Sequence, residues 1–128
     1  MIKLIVLIIS GIYAIIIGIG IIYLWIMLYR TKQIPELKTE PVAIKFHLIA
    51  EITMGALCLI SGILLLIGVI WASYFFIMAM GLVVYAVINS AGYYGQQKQW
   101  SFVIMFGMIL IVSVILIILN IFTRTYNL

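Results

Sequence analysis

Four long stretches of almost unbroken apolar residues, separated by three short polar breaks, set the plan of this chain. From Leu4 to Tyr29 no residue is charged. A helix needs roughly 20 residues to cross a hydrocarbon core of about 30 Å, so this run suffices for one span. Lys3 gives it a short basic start, but the run is about twice the length of a signal-peptide core and lacks a small-x-small cleavage site, so it reads as a retained span. The only extended water-loving stretch follows, RTKQIPELKTEPVAIK at residues 30–45. Pro35 stops the first helix there. Thr39, Glu40 and Pro41 read as the start of the next, with a capping hydroxyl, an acid in the first turn and a proline whose missing N–H is of little consequence. The second apolar run continues to about residue 70. WASY, residues 71–74, reads as a tight uncharged hairpin with interfacial aromatics Trp71 and Tyr74. The third run ends near Tyr94, GQQKQW turns the chain at 95–100, and the fourth run reaches Phe122.

None of these runs alternates with a period of two, and lipid supplies no water to satisfy a backbone, so each must be a helix. The predicted fold is all-α and integral to the membrane. One domain over residues 1–128 holds four antiparallel transmembrane helices, at about 4–29, 40–70, 74–94 and 100–122, in an up-down bundle.

Composition agrees. The chain is 68% hydrophobic and 8% charged, whereas a soluble domain is about half apolar and a quarter charged. The net charge of +4 does not point to nucleic acid, because Arg30, Lys32, Lys38 and Lys45 share the 30–45 loop. Basic residues in such a loop set topology and attract anionic headgroups. The first and third loops together carry five of the seven Lys and Arg residues, against Lys3 and Arg124 on the other side. The expected localisation is a multi-pass protein of the cell membrane with those loops in the cytoplasm and both termini outside. Cys58 is the single cysteine and can form no internal disulfide.

One residue conflicts with this apolar plan. Glu51 lies about 9 Å beyond Lys45 along a helix, inside the hydrocarbon. A carboxylate snorkels poorly and there needs a partner, a proton or water. Stepping by four and three from His47 gives Glu51, Gly55, Cys58 and Gly62, a stripe of mostly small residues of the kind that marks close helix approach. Ala14 and Gly18 (with Ser10) and Ala86 and Ser90 form similar stripes on the first and third spans. Glu51 is therefore expected to face the bundle. The third span ends on the same side of the membrane, and Asn89 lies about 10 Å in from Gln96, level with Glu51. The predicted polar cluster is His47, Glu51, Asn89 and Tyr93, extended by Tyr85 or by Tyr23 of the first span.

Three functions compete for that cluster. The leading one is a non-enzymatic module that binds a partner protein, another copy of the chain, or a lipid or small ligand at the cytoplasmic side of the bundle. The second is a small oligomeric channel or transporter with Glu51 as its ion- or proton-binding group. The third is a metal-dependent membrane enzyme using His47 and Glu51, which a helix places one turn apart; Cys58 is about 10 Å deeper and cannot share that ion. No catalytic residue is assigned and no cofactor is expected: a structural metal site brings four good ligands, and a bis-His haem needs two histidines where the chain has one. No Walker lysine, nucleophile-elbow, Cys-x-x-Cys or zinc-protease pattern occurs. The expected partners are the bilayer, anionic headgroups at the 30–45 loop, and a homo-oligomer or larger membrane complex. Asn120 and the TRTYNL tail read as an interfacial anchor.

Overall fold

The computed structural model describes residues 1–127. Its elements are α1 (Ile2–Arg30), α2 (Glu36–Thr39), α3 (Pro41–Leu66), α4 (Ala72–Gln96) and α5 (Trp100–Thr125). The four long helices are each long and apolar enough to cross a membrane, so the chain is an all-helical, multi-pass membrane protein. They run alternately up and down. α1 packs chiefly on α3, α3 on α4 and α4 on α5, and a thinner α1–α5 contact closes the ring. Large apolar side chains such as Ile16, Ile63, Ile104 and Met108 point outward, which lipid tolerates and water would not.

The helices stop for local reasons. Gly68 sits at φ +83 just past α3. Its N–H bonds the carbonyl of Leu65 and that of Val69 bonds the carbonyl of Leu64, the paired bonds of a Schellman motif. The second span therefore ends at Leu66, not near residue 70, and Ala72–Tyr74 already belong to α4. Lys32 and Lys98 take the same left-handed position after α1 and α4, each at φ 57. At the other end of α3, the expected cap is not made. Thr39 closes α2, Glu40 is the N-cap without a side-chain bond, and the first turn holds no acid. Pro41 does occupy the start of α3.

Small residues bring α1 and α3 together. A Cβ built on Gly18 would lie 2.7 Å from the carbonyl oxygen of Gly55, and one on Gly62 would lie 2.7 Å from that of Gly11. Ala14 and Cys58, fully buried, lie between these two crossings along their helices. The expected stripe of Ala14, Gly18, Gly55 and Gly62 is thus this interface, with Gly11 in place of Ser10. Ala86 packs, half-buried, against the core on α4, and Ser90 lies a turn further on.

The thin α1–α5 contact is instead tied by polar side chains. Asn120, only 2% exposed, donates to Ser10 Oγ at 2.9 Å and to the Leu116 carbonyl at 2.8 Å. The Tyr13 hydroxyl donates to the Ile109 carbonyl at 3.2 Å and shares a 2.9 Å bond with Ser113. Asn120 is therefore an interior cross-link between helices and not an interfacial anchor. Its amide, on the inner face of α5, finds a partner that a lipid-facing position would lack.

Candidate functional site

The end of the bundle that carries the 30–45 loop holds all three acids of the chain, Glu36, Glu40 and Glu51. Glu51 faces α1. The indole N–H of Trp25 donates to its Oε2 at 3.1 Å. His47 Nε2 lies 3.8 Å from its Oε1, within ion-pair reach when the imidazole is protonated. Trp25 and His47 also meet edge to face, with ring centroids 5.4 Å apart. The Glu51 side chain is 15% exposed and that of His47 53%, so the histidine stands between the acid and the open end.

The fold accounts for this arrangement. The glycine crossings draw α1 against α3, and the stripe that contains Gly55 and Gly62 is the one that Glu51 continues. The residue opposite Glu51 must therefore come from α1, and near the end of α1 that residue is Trp25. Indole is a donor only, so it matches a carboxylate oxygen.

Beside this triad opens a cavity of about 440 Å³. Trp25 and Leu28 of α1, Ala43, Ile44 and His47 of α3, and Asn89, Ser90, Tyr93 and Tyr94 of α4 form its walls. The loop and α2 add Gln33, Ile34, Pro35, Glu36 and Glu40. Ile34 is buried, which pins the loop to the bundle. Tyr94 is braced by Phe102 and Phe106 of α5, at centroid distances of 4.8 and 5.8 Å.

The expected cluster is therefore divided. His47, Asn89 and Tyr93 meet around one cavity. Glu51 lies behind it on the α1–α3 side, and neither Asn89 nor Tyr93 bonds it. Tyr85 is 70% exposed and Tyr23 also points outward, so neither joins. Sequence reasoning missed Trp25, although it lies one turn before the end of the first span, at Glu51's depth. No signal in the sequence singled out Glu36 beyond its place in the loop, and Glu40 stood out only as an acid of the helix start. Among the described residues, no group of three His, Cys, Asp or Glu side chains is placed to hold a metal; the pair His47 and Glu51 has no third such neighbour.

Chemically, the cavity combines aromatic faces, apolar side chains and acceptor oxygens. It offers no serine or cysteine nucleophile hydrogen-bonded to a base among the described residues. Neither a curated protein nor a solved structure matches the chain. Residues 6–127 match one family throughout, and the chain belongs to it: the family described as Domain of unknown function (DUF8058).

Proposed function

We propose that this protein is a non-enzymatic membrane module of the cell membrane that binds an amphiphilic ligand in the cavity beneath the 30–45 loop. The observation that carries this reading is the make-up of the cavity. Aromatic rings of Trp25, Tyr93 and Tyr94 and the side chains of Leu28, Ile34 and Ile44 give an apolar body, while Glu36, Glu40 and Asn89 supply oxygen acceptors. Such a mixture, mostly apolar with a few convergent polar groups, is the usual form of a small-molecule site. Carboxylates beside aromatic faces favour a head that donates hydrogen bonds or carries positive charge. The ligand class is therefore an amine-headed amphiphile. The excess of Lys and Arg in the first and third loops supports a cytoplasmic position for this end.

The test uses dodecylamine as probe, with the protein in nanodiscs of neutral lipid and binding read by native mass spectrometry. Replacing Glu36 and Glu40 by Gln together, or Tyr93 by Ala, should weaken retention by about tenfold. Tyr85→Ala, outside the cavity, should leave it unchanged. Equal retention by wild type and the cavity variants would remove the reading.

A further inference from the structure

The opposite end of the bundle holds a second cavity, of about 550 Å³. It lies between the first turns of α1 (Lys3, Leu7), the turn after α3 (Gly68, Val69, Ile70), the start of α4 (Ser73, Tyr74) and the end of α5 (Arg124). Its chemistry is the reverse of the first. Two cations line it, and none of the three acidic residues of the chain is at this end.

Three details show that this is more than two basic residues at a membrane surface. Arg124 is held in place: one guanidinium nitrogen donates to the Ile70 carbonyl at 2.7 Å, and the group lies 4.3 Å over the centre of the Tyr74 ring. Its other N–H groups make no bond to the described residues. Lys3 sits in the first turn of α1, where the helix dipole disfavours a cation. Ser73 is only 7% exposed. It lines this cavity, at the start of a helix whose first turn has neither an acid nor a side-chain cap.

We propose that this cavity binds a phosphoryl group, with Arg124 and Lys3 supplying charge and the Ser73 hydroxyl a hydrogen bond. A fixed guanidinium fork, a mobile ammonium and a hydroxyl near a helix start are the complement of phosphate oxygens. Leu7, Val69 and Ile70 beside them suit the glycerol and first methylenes of a phospholipid. The same phosphate chemistry could be brought by a free anion, and the experiment separates the two sources.

Protein in a neutral maltoside detergent is titrated with short-chain phosphatidylglycerol, with phosphatidylcholine, and in a separate arm with inorganic phosphate. Binding is read by native mass spectrometry and by the shift in Tm. Wild type should retain one phosphatidylglycerol in preference to phosphatidylcholine. Lys3→Gln, Ser73→Ala and Arg124→Gln should each weaken that binding, Arg124→Gln by about tenfold. Arg124→Gln also removes the bond to Ile70. Lys3→Gln removes no hydrogen bond or ion pair of the described fold and tests the site alone. Lys38→Gln with Lys45→Gln, in the basic loop at the far end, should leave it unaltered. Inorganic phosphate that binds with the same dependence on Lys3 and Arg124, while phosphatidylglycerol is not preferred, assigns the site to the free anion. Equal binding of both lipids that Lys3→Gln and Arg124→Gln leave unaltered, with no effect of phosphate, overturns the proposal. A preference that Lys3→Gln leaves intact and the loop variant abolishes does so too.

Discussion

The indole of Trp25 hydrogen-bonds the carboxylate of Glu51 across the α1–α3 interface, at 3.1 Å. This contact sets the only acid of the membrane-spanning helices against the first of them rather than the third. It also ties the open end of the bundle just below the point where the cavity begins.

A double-mutant cycle on Trp25→Phe and Glu51→Gln measures the worth of that contact. Interhelical hydrogen bonds in membranes average about 0.6 kcal/mol with a maximum near 1.7, and a carboxylate acceptor belongs toward the upper end. We expect a coupling of about 1 kcal/mol by equilibrium unfolding in mixed micelles. Additive effects would show that the acid is held by something other than Trp25.

Gly62→Ala puts a Cβ 2.7 Å from both the Gly11 carbonyl oxygen and the Ile15 Cγ1 atom. Backbone cannot yield there without parting α1 from α3, so stability should fall by about 1–3 kcal/mol. Gly92→Ala and Gly107→Ala, where nothing lies within 4 Å, should be neutral or gain up to about 1 kcal/mol from helix propensity. Cys58, fully buried between the crossings, reports the same event: N-ethylmaleimide, which enters hydrocarbon, should label it faster in Gly62→Ala. Equal labelling in all three variants would mean that the close approach is not what holds this interface.

Asn120→Leu removes the bond to Ser10 while keeping the side chain's bulk. Ser10 can turn its hydroxyl to a carbonyl of its own helix, so the loss should stay near 1 kcal/mol. Combined with Tyr13→Phe, which frees Ser113, the loss should approximately double, since each pair ties the same thin contact. An unchanged Tm in the double variant would show that α1 and α5 need no polar link.

Lys98 occupies the left-handed position after α4, at φ 57, where a side chain costs about 1–2 kcal/mol relative to glycine. Lys98→Gly should therefore raise stability by about 1 kcal/mol. Gln97→Gly, one residue earlier at φ -87, should give no gain. Equal effects at the two positions would show that the turn geometry is not the cause.

Span number and helical class were open to reading because both follow from local facts: run length, hydropathy and the need to satisfy backbone in lipid. The small-residue stripe through Gly55 and Gly62 was legible for the same reason, since helical spacing alone puts those residues on one face. The end of the second span was not placed well. Apolar residues continue through Ile67, Val69 and Ile70, and it is the left-handed Gly68 that stops the helix.

What tertiary structure alone decided was which faces meet. Residue counting puts Glu51 and Asn89 at similar depths, but depth along a helix says nothing of direction around it. The ring order of the helices set α1, with its matching Gly11, Ala14 and Gly18, against the stripe that Glu51 continues. That left Asn89 and Tyr93 on the far wall of a cavity. It likewise turned Asn120 inward to Ser10, and it brought Lys3, Ser73 and Arg124, from three separate helices, around one pocket. The sequence determines where each helix can form and which of its sides can be approached. The partner across each side depends on how all four pack at once, and no single helix encodes that.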